Sequence, residues 1–195
     1  MEFTTPLCEL AYKHGTDKCP QIRHSYTPLY YELFKDRRGS VKKVLELGVG
    51  FVGSMPWVKH YKVGASLYMW RDFFPNAQIY GADVVPETVF KDERIETFLC
   101  NEKEPGDLEK LIEKTGSDID LFVDDGVHRA KWQIIVCKTL MPLLGKNVTY
   151  IIEDTNSVEY ILENLKEYDC QVSNLAEKFN VEKIGNNLII VKWKI

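Results

Sequence analysis

Val41-Lys42-Lys43-Val44-Leu45-Glu46-Leu47-Gly48-Val49-Gly50 decides the reading of this chain. Val41–Leu47 is a short run rich in branched apolar residues, the composition of a buried strand, and it stops at two glycines. Similar runs follow at Gln78–Val84, Arg94–Leu99, Ile119–Val123, Val148–Ile152 and Leu188–Trp193, with a short Cys170–Ser173 partner for the last. Helical patterns lie between them, at Ala65–Phe74, Gly106–Lys114, Ala130–Leu144 and Ser157–Tyr168. Pro142 should kink or shorten the third of these, and Ser157 is an N-cap candidate for the fourth. Upstream, Pro6–Tyr12 and Pro28–Asp36 read as short helices around a polar stretch, Gly15–Ser25. Strands alternating with helices imply a parallel sheet covered on both faces. The last two runs add an antiparallel edge. The expected fold class is α/β, a Rossmann-like three-layer α/β/α sandwich with a mostly parallel sheet. The 195 residues fit one domain, with 1–40 a helical N-terminal segment and 41–195 the core.

Composition narrows the function. Lys+Arg 25 against Asp+Glu 29 gives a net charge of -4 with no basic block, so nucleic acid is not an expected partner. Cys8, Cys19, Cys100, Cys137 and Cys170 form no C-x-x-C pair, which argues against a disulfide framework or a zinc-thiolate site and for packing roles in a reducing compartment. No apolar run approaches the ~18 residues of a membrane span, and Met-Glu-Phe-Thr-Thr-Pro lacks a signal-peptide pattern. The expected location is cytoplasmic, with no membrane partner.

In open α/β sheets, ligands bind beyond the carboxyl ends of the strands. Here those ends carry Glu46 and Gly48, Asp83, Asn101, Asp124 and Asp125, then Glu153 and Asp154. Gly48 to Gly53 literally matches G-x-G-x-x-G, but a dinucleotide site wants an acid about 20 residues on, and Asp83 lies 35 past Gly48. Glu46, just before the glycines, suits a cofactor with a cationic amino-acid end better than a pyrophosphate. Asp83 is placed to accept from both hydroxyls of a ribose. Asp125, Glu153 and Asp154 follow strands expected to be neighbours. Convergent carboxylates repel unless protonated or matched by a cation, and all-oxygen donors favour Mg²⁺, Ca²⁺ or Mn²⁺ over zinc. His128, three residues past Asp125, is a candidate general base with an ordinary pKa near ~6.5. The plain alternative is that these acids cap helices and His128 is structural.

Leu45-Glu46-Leu47-Gly48-Val49-Gly50 resembles the cofactor motif of class I S-adenosylmethionine (SAM)-dependent methyltransferases. Four longer stretches narrow the resemblance to the macrocin and mycinamicin type sugar O-methyltransferases, a group that includes the protein called cephalosporin hydroxylase. They are Lys13-His14-Gly15-Thr16-Asp17-Lys18 with His24-Ser25-Tyr26-Thr27; Gly64-Ala65-Ser66-Leu67 running to Asp83; Val123-Asp124-Asp125-Gly126-Val127-His128; and Ile152-Glu153-Asp154. The resemblance implies one SAM-dependent methyltransferase domain. Asp125, Glu153 and Asp154 would hold Mg²⁺ or Mn²⁺, and His128, beside Asp125, would take the acceptor proton. Glu46, Gly48, Gly50, Ser66 and Asp83 would hold SAM, with Asn101 and Asp124 close by. Lys13–Lys18, including Thr16, and Tyr26 would close over the site as a lid.

Two positions depart from the family pattern. Trp132 stands where a second histidine is usual, and Cys100-Asn101-Glu102 replaces Gly-Asp-Gln. The acceptor implied is a small molecule or glycan with vicinal hydroxyls, a sugar before a catechol, and a homo-oligomer is left open. Tyr26, Tyr30, Trp57, Tyr61 and Trp70 are candidate sugar-stacking residues, although helical spacing favours core packing for Trp70. His24 is a further site candidate, whereas His14 and His60 are expected in solvent. The rivals are a metal-dependent catechol methyltransferase, a non-catalytic SAM-binding subunit, and a nicotinamide oxidoreductase.

Overall fold

A computed structural model describes residues 3–56, 58, 61–175 and 187–194; Trp57 and His60 lie outside the described residues. The strands are β1 (Lys43–Leu47), β2 (Gln78–Asp83), β3 (Lys91–Asp92), β4 (Ile95–Leu99), β5 (Leu121–Asp124), β6 (Thr149–Ile152), β7 (Tyr168–Asn174) and β8 (Asn187–Trp193). They form one sheet in the order β3-β4-β2-β1-β5-β6-β8-β7. β4, β2, β1, β5 and β6 run parallel, while β3 is antiparallel to β4 and β8 is antiparallel to both β6 and β7. Chain order reverses beside β1, with β2 and β4 on one side and β5 and β6 on the other. That reversal opens a crevice at the strand ends.

The helices are α1 (Pro6–His14), α2 (Tyr26–Phe34), α3 (Ala65–Phe73), α4 (Pro105–Thr115), α5 (Ala130–Leu140) and α6 (Val158–Asn164). Strand residues alternate between two apolar clusters, as the two-residue repeat of a pleated strand requires. Val44, Ile79, Val123 and Ile151 pack with α1, α2 and α3. Leu45, Leu47, Phe122 and Ile152 pack with α4, α5 and α6. The result is the Rossmann-like three-layer sandwich with antiparallel edges at both ends of the sheet.

The N-terminal helices are part of the first layer. Thr5 caps α1 by accepting from the Cys8 amide, and Gly15, at φ 75°, closes its other end. Asp72, at the end of α3, accepts from His14 Nε2 at 2.8 Å and Lys13 Nζ at 3.3 Å, so His14 is tied down rather than solvated. Phe34 of α2 meets Phe74 edge to face at 5.3 Å.

Several local expectations change. Helix α2 starts two residues before Pro28, which sits in the first turn, where a missing N–H costs nothing. After the glycine turn comes a 3₁₀ turn, Val52–Ser54, and among the described residues the next helix opens at Ala65. Helix α5 stops at Leu140, and Pro142 lies in the 3₁₀ turn Met141–Leu143. Helix α6 stops at Asn164, because Tyr168 is drawn into β7 and packs edge to face on Trp193. Ser157 does precede α6, but its side chain accepts no capping bond. The β3 strand was not anticipated. Four cysteines are buried, Cys170 is half-buried and all five are free. Among the described residues, no helix is long and apolar enough to cross a membrane.

Gly48 locks β1 to the loop after β5. Its φ is 90°, and a Cβ there would stand 2.0 Å from the Asp125 carbonyl oxygen. Gly48→Ala therefore meets both a disfavoured backbone angle and a backbone clash. It is expected to cost about 2–3 kcal/mol of unfolding free energy, read from the urea midpoint. An unchanged midpoint would show that the two loops are not locked together.

Candidate active site

The backbone ladder continues past the strand ends. The Asp125 amide donates to Leu47 O and the Glu153 amide to Asp124 O, each at 3.0 Å. Alternation then carries Glu46, Asp125 and Glu153 to the α1–α3 side, and Asp124 to the other. Lys18 meets the first three there. It lies between α1 and α2, and its backbone oxygen accepts from the Tyr26 and Thr27 amides at 3.1 and 3.0 Å.

The Lys18 ammonium is buried among these acids. It donates to Asp125 Oδ2 at 2.6 Å and to Glu153 Oε2, and lies 3.8 Å from Glu46 Oε1. Glu153 Oε1 accepts from the Tyr30 hydroxyl at 2.5 Å. Glu46 accepts from Ser66 Oγ at 2.5 Å and from Trp70 Nε1. Burial works against the ammonium, but Asp125, Glu153 and Glu46 hold Lys18 protonated well above the usual lysine range. Burial pushes the carboxyls of Glu46 and Glu153 up, and Lys18 pulls against it.

Above this cluster is a cavity of about 460 Å³. Its lining includes Gly48, Gly50, Asp83 and Asn101 together with Asp125, His128, Glu153 and Asp154. Asp83 is braced by two amides, Gly50 N to Oδ2 at 3.2 Å and Val85 N to Oδ1 at 3.0 Å. Asp125 Oδ1 lies 3.2 Å from His128 Nε2, and Asp154 Oδ2 lies 3.8 Å from it. Donor atoms of Asp125, His128 and Asp154 all fall within 4.8 Å of one another. Asp154 has φ 50°, a left-handed conformation that aspartate tolerates better than most residues, and Tyr26 Oη donates to its Oδ1 at 2.7 Å. His24 stacks on Tyr26 with ring centroids 4.9 Å apart, and both line the cavity.

Other expected residues lie elsewhere. Glu46 and Ser66 sit behind the cavity, bonded to each other, and Thr16 is buried without lining it. Asp124 is in the opposite layer, 3.4 Å from the Tyr150 hydroxyl, and burial pushes its carboxyl up to about 8. Tyr30, Tyr61 and Trp70 are buried and do not line the cavity, so they offer no stacking face; their polar tips go to Glu153, Val49 O and Glu46. Three positions received no individual role from the sequence, which gave Asp17 and Lys18 only as part of the closing Lys13–Lys18 segment. They are Lys18; Asp17, which lines the cavity; and Glu102, whose Oε1 accepts from the Val127 amide at 2.6 Å and steadies the loop bearing His128. The alternation of β1 was the available signal for Lys18, since it puts Glu46 on an apolar face that needs a cation. Nothing local says which lysine answers.

No family model matches the chain. A Streptomyces olivaceus protein, 8-demethyl-8-(2-methoxy-alpha-L-rhamnosyl)-tetracenomycin-C 3'-O-methyltransferase, is 35% identical over 148 residues, 76% of this chain and 36% of its own. Mycinamicin VI 2''-O-methyltransferase of Micromonospora griseorubida is 32% identical over 148 residues, 76% of this chain and 35% of its own. The chain thus spans about a third of the length of these curated relatives. Among solved structures, the MycE methyltransferase of the mycinamycin biosynthetic pathway, in complex with Mg and SAH, superposes with TM-score 0.75 at 25% identity, over 97% of this chain and 55% of that one. The SAH-bound Podospora anserina methyltransferase PaMTH1 shares the fold at TM-score 0.60 and 12% identity, over 100% of this chain and 90% of that one. The chain is therefore similar to the macrocin and mycinamicin type sugar O-methyltransferases, the resemblance that its motifs carry.

The environment of His128 departs from an ordinary histidine. Burial favours the neutral ring, but the hydrogen bond and charge of Asp125, with Asp154 behind them, raise its pKa to about 9. A raised histidine pKa stabilises the fold fully below the unfolded value of about 6.5, and this contribution is lost as pH rises through about 9. In metal-free protein, the His128 ring protons should titrate near 9 by NMR, and Asp125→Asn should move the midpoint toward 6.5. A wild-type midpoint near 6.5 would contradict the Asp125 contact.

Proposed function

We propose that the chain transfers a methyl group from SAM to a hydroxyl of a sugar, on a glycan or a glycosylated natural product, with Mg²⁺ or Mn²⁺ at the acidic end of its cavity. The observation that carries this is one cavity at the strand ends whose lining combines a glycine turn and a braced aspartate with two aspartates and a histidine. The named activities of the similar proteins support it.

The donor set fits a hard cation, since Asp125 and Asp154 offer carboxylate oxygens close together on the cavity wall. Gly48 and Gly50, at φ 90° and 76°, let the backbone approach a cofactor closely. Asp83 would accept from the ribose hydroxyls, and Asn101 would line the same wall. When bound, SAM supplies the methyl group and the cation supplies Lewis acidity that lowers the pKa of an alcohol. His128 would accept the acceptor proton at Nε2. In the metal-free chain Asp125 and Asp154 keep that nitrogen protonated. Were both acids to hold a dication, their pull on the ring would be offset and His128 would be available as base near neutral pH. Glu46 and Ser66 would support the wall from behind rather than meet the ligands directly, while Glu153 lines the cavity with its oxygens on Lys18 and Tyr30. Residues 1–195 act as one domain, in which 1–40 supply Lys18, His24 and Tyr26 to the site. An acceptor with vicinal hydroxyls suits two oxygen ligands on one cation.

Calorimetry should show S-adenosylhomocysteine binding, and methylation of rhamnosides should require Mg²⁺ or Mn²⁺ and stop with chelator. His128→Ala should lower turnover by about 10²-fold or more while S-adenosylhomocysteine affinity stays within about twofold. Asp125→Asn should abolish the metal dependence and the activity together. Methylation that survives chelation would overturn the metal assignment, and equal loss of turnover and nucleotide binding in His128→Ala would overturn the base. Methylation of catechols in preference to rhamnosides would overturn the sugar acceptor.

A further inference from the structure

We infer that Lys18 is a positioning residue, the fixed counter-cation that decides which strand-end carboxylate oxygens face a divalent ion and how strongly they attract it. The inference rests on the metal reading of the cavity. Its basis is how the oxygens are divided. Asp125 is shared, with Oδ2 on Lys18 and Oδ1 toward His128. Glu153 has both oxygens engaged, one by Tyr30 and one by Lys18. Glu46 is turned inward to Ser66 and Trp70, with Lys18 at 3.8 Å. Of the three acids at Lys18, only Asp125 keeps an oxygen turned to His128, and Asp154 joins that pair from the next strand. Glu153, which belongs to the ligand set that the family resemblance implies, lines the cavity with both oxygens bonded, so Lys18 competes with a cation for it.

Lys18 is held in this place from both sides. Its backbone oxygen is fixed by the amides that open α2, and its side chain is about 2% exposed, so its charge is weakly screened. A lysine that merely filled space would loosen the acids when removed and weaken cation binding. A lysine that acts by charge does the opposite. Its removal releases Asp125 Oδ2 and Glu153 Oε2 and leaves the acids without their cation, so a dication is attracted more strongly. The direction of the change separates the two roles.

The test is Mn²⁺ titration by calorimetry, without nucleotide or acceptor, on the wild-type chain, Lys18→Met and Lys18→Arg. Lys18→Met should bind Mn²⁺ about tenfold tighter or more, and Lys18→Arg, which keeps the charge, should stay within about threefold of wild type. Lys18→Met that folds only when Mn²⁺ is added reports the same gain and supports the inference. If it folds under neither condition, the Lys18→Met/Glu153→Gln double variant decides: recovered folding supports the ion pair, and failure to recover overturns it. Unchanged or weaker Mn²⁺ binding by Lys18→Met, with wild type binding normally, overturns the inference and leaves the proposed function standing. Binding by Lys18→Met but not by wild type shows that Lys18 excludes the cation, and it overturns both the positioning role and the metal assignment of the wild-type cavity. No binding by either overturns both.

Discussion

Three carboxylates, Glu46, Asp125 and Glu153, converge on one buried ammonium, and the architecture around the cavity follows from that neutralisation. A carboxylate taken out of water costs several kcal/mol unless it is paired and hydrogen-bonded. β1, β5 and β6 place these acids at their ends on the same side of the sheet, beneath α1, α2 and α3, where water does not reach Glu46 or Glu153. Lys18 is the cation in contact with all three. Leaving a buried charge without its partner typically costs about 3–5 kcal/mol, comparable with a large part of a domain's stability.

That requirement explains why the N-terminal residues are integral to the layer. Lys18 reaches the acids only if α1 and α2 are docked on α3. The docking is supplied by apolar burial of Leu7, Tyr30 and Phe34, and by the His14 and Lys13 contacts to Asp72. The same helix that positions Lys18 through its first amides also sends Tyr26 to Asp154 and Tyr30 to Glu153. The start of α2 and the acidic wall are thus tied together by the same set of contacts.

The parallel strands were legible because they are short apolar runs ending in glycine or acid, and their alternation with helices dictates the sheet. The clustering of polar residues at the strand ends was legible for the same reason. What escaped depends on partners distant in sequence. Strand β3 is two exposed residues, paired with β4 after Arg94 turns at φ 54° and fixes itself to the carbonyls of Arg71, Phe74 and Ala77. The end of α6 is set by Tyr168 meeting Trp193, which no local pattern announces. The orientation of Glu46 was readable in principle from the alternation Val44, Leu45, Glu46, Leu47, because neighbours on a strand face opposite layers. The identity of its counter-ion was not readable, since Lys18 is 28 residues away and one of many lysines. His128 could be singled out by its spacing from Asp125, but its raised pKa needs Asp154, which arrives from another strand.

Position relative to the sheet gives chemically identical carboxyls different work. Asp124 and Asp125 are adjacent, yet alternation sends the first among the apolar residues of the α4–α6 layer and the second to Lys18 and the cavity. Burial pushes the Asp124 carboxyl up to about 8, whereas the charges of Lys18 and His128 outweigh burial and hold Asp125 well below the usual carboxylate range. Glu153 and Asp154 repeat the division across the next strand, one sealed by Lys18 and Tyr30, the other turned outward by its left-handed backbone. A site made of four equally exposed acids would hold its charge diffusely and bind cations without preferred geometry. Pairing some acids with a fixed lysine, and leaving two beside a histidine, concentrates the available charge at one end of the cavity. The asymmetry arises from a two-residue strand repeat and one well-placed cation.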